Sequence, residues 1–179
     1  MPAQPKGMSP RAQGIVAAAR QILEREGADG LTMRRLADAV GIRAPSLYKH
    51  FPDKAAVEIA LINDCFEEIA ERFETAVGQG ENPLLELATA YRTFALAHPH
   101  LYRLMTTGPL PRDRLRPGVE ARAAAPIVKA VGDPDLARAV WAFAHGMVIL
   151  ELDGRFPPDA DLDAAWEAGL AAFRAAEPA

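Results

Sequence analysis

LTMRRLADAVGIRAPSLYKHFPDK, residues 31–54, is the stretch whose reading decides the fold. Thr32 is a good helix N-cap, and Leu31 and Leu36 sit where a hydrophobic staple pairs them. Leu36, Ala37 and Val40 predict a buried stripe on that helix, and Gly41 is the residue expected just past its end. Pro45 suits the first turn of a short following helix, because its missing N–H would be unpaired there anyway. Leu47 and Phe51 are expected to face inward, and Pro52 closes the segment. The pattern is a helix-turn-helix. Ala37 is small where two helices cross, Gly41 makes the sharp turn, and Ile42 and Leu47 lock the angle. The second of these helices is then held out from the body, exposed enough to enter a major groove about 12 Å wide.

Working outward, Ile15, Ala18, Ala19, Ile22 and Leu23 recur at helical spacing and predict a preceding helix. Gly27 ends it, with Ala28-Asp29-Gly30 as a loop. Residues 1–11 are polar, contain prolines and read as a flexible arm. Downstream, Asp53 caps a long fourth helix with the stripe Ile62, Phe66, Ile69, Phe73 and Val77, broken by Gly78-Gln79-Gly80. Asn82-Pro83 starts a fifth helix, Pro99 interrupts it, and a short sixth runs to about residue 106. Residues 108–118 form a loop. A seventh helix covers 119–131, kinked or restarted by Pro126. Asp133-Pro134 starts an eighth that reaches about residue 153, and Asp161 caps a ninth that ends near residue 176. No strand pattern is present, so the class is all-α with about nine helices. The expected organisation is an arm over 1–11, a helix-turn-helix domain over 12–55 and a helical regulatory and dimerisation domain over 56–179.

The chain has 179 residues, half of them apolar and a quarter charged, which suits a folded domain rather than a disordered one. Cys65 is the single cysteine, which excludes an intrachain disulfide framework and a multi-cysteine zinc site. No stretch has the ~18 apolar residues that span a bilayer, so no membrane partner is expected. The N-terminal basic residues are followed by no apolar run, and the expected compartment is the cytoplasm. The net charge of −4 hides an asymmetry. Residues 1–55 carry nine Lys/Arg against five Asp/Glu, a balance of +4, which leaves −8 for the rest. A basic head on an acidic body is either a head that meets a polyanion or a solvated charged surface. No nucleophile elbow, phosphate-binding glycine loop or metal cluster is legible, so neither an enzyme nor a cofactor is expected. His98-Pro99-His100 lacks the i,i+4 spacing and the carboxylate of a metal pair, and Cys65 reads as a buried structural thiol.

The wider string Leu31-Thr32, Arg34, Leu36-Ala37, Gly41-Ile42, Leu47-Tyr48, His50-Phe51 and Lys54 resembles the DNA-binding domain of the TetR (tetracycline-repressor) family of bacterial transcriptional regulators. The ending Leu-Tyr-x-His-Phe-x-x-Lys is its most diagnostic part. The resemblance implies that Tyr48 and Lys54 contact phosphates, as does the hydroxyl of Thr32 or Ser46. Arg34 reaches a base edge or a phosphate. Ala44, Pro45, Ser46 and Lys49 face the groove, and His50 touches the backbone. Arg43 takes a position often small and polar in the family, which puts a capping role there in doubt and leaves it as another phosphate contact. Ala44 and Pro45 would read bases through apolar contact, for example with thymine methyls. Arg34 and Arg35 are adjacent, so at 100° per residue only one points squarely at DNA.

In the body, Leu136, Val140, Phe143, Met147 and Leu150 form one apolar stripe of the eighth helix, and Trp141, Ala144, Val148 and Leu152 form a second. A helix apolar on two faces is expected to be buried on two sides, the second against its own copy. The ninth helix lines up Ala164, Ala168, Ala171 and Ala175, while Leu162, Trp166 and Phe173 face the core. A two-fold dimer through these helices is expected, with Val140, Phe143, Met147, Ala164, Ala168 and Ala171 at its interface. Trp141-x-x-x-His145-Gly146, followed by Glu151-Leu152-x-Gly154-x-Phe156, resembles the WHG-type C-terminal domain of one branch of TetR regulators. That implies dimerisation and a small-molecule pocket. Tyr91, Phe94, His98, Tyr102, Met105 and Trp141 are the pocket candidates, near the Pro99 break where helices diverge. The expected function is a repressor released from a palindromic operator by a small-molecule effector. A helical interaction module without specific DNA binding and a ligand-dependent activator are the alternatives.

Overall fold

The computed structural model describes residues 8–77 and 82–174. Most of the expected arm, the expected break at Gly78-Gln79-Gly80 and the end of the ninth helix with Ala175 lie outside them. The described residues form nine α-helices and no strand: α1 (Pro10–Gly30), α2 (Met33–Ala39), α3 (Ala44–Tyr48), α4 (Lys54–Ala76), α5 (Pro83–Ala97), α6 (Pro99–Thr106), α7 (Val119–Val131), α8 (Pro134–Leu152) and α9 (Leu162–Arg174), with one 3-10 turn at Arg112–Arg114. None of these helices is long and apolar enough to cross a membrane.

Packing divides the chain into two units. The first holds the residues up to Asp64 together with His100–Leu115, and the second holds Cys65–Pro99 and the residues from Arg116 onward. The dividing line therefore falls inside α4 rather than near residue 55, and α6 belongs almost wholly to the first unit.

In the first unit, α1 starts at Pro10, earlier than the expected end of the arm. Ser9 caps it by accepting the N–H of Ala12 at 3.3 Å. Gly27 breaks α1 with φ 71° and ψ −176°, a backbone that disfavours any side chain. Helical turns resume over 28–30, in place of the expected loop. Ile15, Leu23, Leu31, Leu36, Leu47, Val57 and Leu61 are essentially sealed from water, each contributing roughly 1.5–3 kcal/mol of burial. Val40 is only half-buried, because the chain turns away there to leave α2. On α4 the predicted stripe holds at Ile62, Ile69 and Phe73, whereas Phe66 and Val77 are half-exposed. Val57, Leu61, Cys65 and Ala70 widen the buried face, since α4 contributes to both cores.

In the second unit α5, α7 and α8 pack on one another and α9 lies along α8 and α5. Pro126 sits inside α7 without ending or restarting it. The close approach of α9 to α8 occurs at Gly169, where a Cβ would stand 2.2 Å from Cζ of Phe143. Phe143 meets Trp166 edge-on at 5.6 Å and Phe173 at 5.7 Å. Arg92 on α5 clamps α8 and α9. Its Nε and Nη2 donate to Glu151 at 2.9 and 2.8 Å, and its Nη1 donates to Asp163 at 2.5 Å. The same guanidinium stands 5.8 Å from the centre of the Trp166 ring. Arg122 on α7 fastens to α4 through Glu74, at 2.9 and 2.8 Å, and through Glu67.

Candidate nucleic-acid interface

The helix-turn-helix is set by hydrogen bonds that its sequence dictates. Thr32 Oγ1 accepts the N–H of Arg35 at 3.3 Å and opens α2. At the other end the N–H of Gly41 reaches the carbonyl of Asp38 at 3.2 Å, and that of Ile42 reaches the carbonyl of Ala37 at 3.0 Å. This pair of bonds is the Schellman closure, and it needs the left-handed backbone that Gly41 adopts at φ 66°. The chain then enters α3 in a fixed direction. Arg43 precedes α3 without a side-chain cap, so its guanidinium is left exposed; its carbonyl accepts the N–H of Ser46 at 2.9 Å. The family departure at Arg43 thus costs α3 a capping side chain and adds a surface cation.

Seven of the eight residues 43–50 are exposed: Arg43, Ala44, Pro45, Ser46, Tyr48, Lys49 and His50. The eighth, Leu47, is fully buried and pegs the segment to the core. Tyr48 is 48% exposed, so about half of it is open to solvent. The adjacent arginines separate as their spacing requires. Arg35 is drawn back onto Glu26 of α1, while Arg34 stays exposed with no ion-pair partner among the described residues. Lys54 is the predicted contact with prior engagements. Its Nζ donates to the carbonyl of Ala28 at 2.8 Å and stands 3.4 Å from Glu58. Arg11, which the sequence places in the arm, is an unforeseen member of this surface. It is exposed on the first turn of α1, and its Nη2 lies 3.4 Å from the carbonyl of Val40 at the turn. The Ser9-Pro10 cap signal is the clue that α1 begins early enough to place it there.

The six pocket candidates are divided between the two units. Tyr91 and Trp141 line one small cavity of about 20 Å³ within the second unit, with Phe73, Leu84, Leu87, Ala88, Ile127, Val140 and Ala144. Phe94 is buried beside the His98 ring, centres 5.2 Å apart. Tyr102 is fully buried and Met105 half-buried on α6, in the first unit. The two histidines of His98-Pro99-His100 part company, His98 onto Phe94 and His100 over Gly27. Of the expected dimer residues, Val140 is buried within its own chain and lines that cavity, so it lies beneath the outer face of α8 rather than on it. Phe143 is half-buried against α9, Met147 is half-buried, and Ala164, Ala168 and Ala171 are exposed. Trp141 stacks on His145, ring centres 5.9 Å apart, and burial holds the His145 imidazole below its usual range. The hydrogen bond from Arg122 holds the Glu74 carboxyl below the usual carboxylate range.

Comparison with known proteins adds the decisive observation. Residues 15–61 match the family model for bacterial regulatory proteins of the tetR family, and residues 84–173 match the tetracyclin repressor-like C-terminal domain. An HTH-type transcriptional regulator of Mycobacterium tuberculosis, itself uncharacterised, is 34% identical over 168 residues, which span 85% of this chain and 74% of that protein. The chain belongs to the TetR family. A solved Rhodococcus protein of unknown function superposes on this TetR-family chain with a TM-score of 0.80 at 27% identity, covering 98% of this chain and 99% of the other. A TetR variant from Acinetobacter baumannii, solved in complex with minocycline, gives a TM-score of 0.67 at 25% identity, covering 93% and 98%. The TetR-family chain is accordingly a DNA-binding transcriptional regulator with α2 and α3 as its helix-turn-helix, and its family is one of regulators rather than enzymes.

Proposed function

We propose that the chain represses transcription by binding a near-palindromic operator as a homodimer, in the cytoplasm, and that a small molecule held in the second unit releases it. The observation that carries the reading is the exposed run 43–50 around its single buried peg, Leu47. On this reading Ala44, Pro45, Ser46 and Lys49 face the major groove. Thr32, Arg43, Tyr48, His50 and Lys54 take the phosphate backbone, and Arg34 takes a base edge or a phosphate. Phosphate neutralisation supplies much of the affinity and makes it salt-dependent.

The dimer surface is the outer face of α8 and α9. Leu150 is a large apolar group of α8 left 42% exposed, and Ala164, Ala168 and Ala171 are exposed on α9. A two-fold axis there gives the two copies of α3 a spacing of one helical turn of DNA, about 34–36 Å. The stacked Trp141 and His145, with Gly146, fit the WHG-type branch, in which that string packs and pairs. The effector site is the apolar cavity walled by Tyr91 and Trp141, which opens further when a ligand enters. The Acinetobacter baumannii TetR variant, solved in complex with minocycline, supports a small-molecule ligand. α4 contributes to both units and carries the linkage, so the effector and the operator weaken each other by the same factor.

The test is selection of bound fragments from the genome with purified protein, followed by a small-molecule screen for release. The reading expects a few enriched fragments sharing an inverted repeat, and at least one compound that dissociates them. Uniform recovery of fragments without a shared sequence would contradict it.

A further inference from the structure

Lys54 opens α4 with an ammonium that has three donors. One donates to the carbonyl of Ala28 at 2.8 Å, and the nitrogen stands 3.4 Å from Oε1 of Glu58, one turn along α4. The Ala28 carbonyl follows directly on the Gly27 break in α1, and it accepts this side chain across 26 residues of sequence. The Lys54 side chain is 39% exposed and that of Glu58 27%, so the ammonium is partly open to solvent with a carboxylate beside it. The Ala28 carbonyl fixes where the ammonium stands. Glu58 offsets its charge at a place where the head, net positive by sequence, meets phosphate.

We propose that Glu58 attenuates DNA binding through Lys54, lowering affinity for every duplex regardless of sequence. The inference rests on the DNA-binding reading of the head. A phosphate and Glu58 compete for one ammonium, and that competition is the same whatever the bases are. An ion pair of this exposure is worth up to ~1 kcal/mol, which corresponds to a change of about two- to five-fold.

Fluorescence anisotropy on a short random-sequence duplex tests it, with the full chain, Glu58→Gln, Lys54→Met and the double variant, across a salt series. Glu58→Gln is expected to bind about two- to five-fold tighter at ~50 mM salt, with the gain fading as salt rises. In the Lys54→Met background the same change is expected to have no effect. A purely structural pair would instead lower the melting temperature and weaken binding. The proposal is overturned if Glu58→Gln binds no tighter while melting as the parent does, or if its gain persists without Lys54. A parent protein that ignores every duplex would sink the DNA-binding reading as well, so the two failures are distinguishable.

Discussion

Arg34 and Arg35 show how a residue's role is settled by a neighbour the local sequence does not contain. The helix-turn-helix string makes both candidates, and helical geometry allows only one to face outward squarely. Glu26, on the preceding helix, pairs with Arg35 and leaves Arg34 exposed. Nothing in residues 31–54 announces Glu26 as that partner, so the choice was not legible from the motif. The exposed positions of α3 were legible, because Leu47 and Phe51 at i,i+4 define the inward side and all else faces out. Arg34→Ala is expected to cost ~1–3 kcal/mol on the best operator and to relax preference at one base position. Competition binding across single-base operator variants checks this, and an equal loss on every sequence would put Arg34 on a phosphate instead.

Helix starts were written plainly in the caps: Thr32, Asn82, Asp133 and Asp161 each accept an N–H three residues on. Helix contacts were less legible, because both partners must be known. The alanine line of the ninth helix suggests where it approaches its neighbour, yet the close approach is at Gly169, chosen by a Phe143 ring 26 residues earlier. Gly169→Ala is expected to destabilise the fold by about 1–3 kcal/mol through overpacking. Chemical unfolding followed by circular dichroism reads the change, and an unaltered midpoint would show that α8 and α9 have room to spare. The α8 pair of Trp141 and His145 predicts a pH effect. Burial lowers the His145 pKa from 6.5, so the unfolded chain takes up the proton more readily. Stability from this group is therefore full above about pH 6.5 and is lost as pH falls from there through the lower pKa of the folded state. The melting temperature is expected to drop as pH is lowered from about 6.5, and to drop less in His145→Gln; identical pH profiles would contradict this.

At the scale of the molecule, the all-helical class and the position of the helix-turn-helix were readable from periodicity, caps and one motif. The division into units was not. The line runs through the middle of α4, and α6 returns to the first unit, because sequence periodicity marks which residues are buried and not which core buries them. The same gap misplaced Val140, an apolar position on an apolar helix that is filled by its own chain rather than by a second copy. The exposed alanines of α9 remain the place to test assembly. Ala168→Arg is expected to shift sedimentation toward monomer and to weaken operator binding far more than binding to a single half-site. The most direct test of the whole account is a hydroxyl-radical footprint of the purified protein on the duplex it selects. Two protected stretches about one helical turn apart, related by two-fold symmetry, are predicted; a single protected stretch, or none, would contradict a segment presented in pairs to successive grooves.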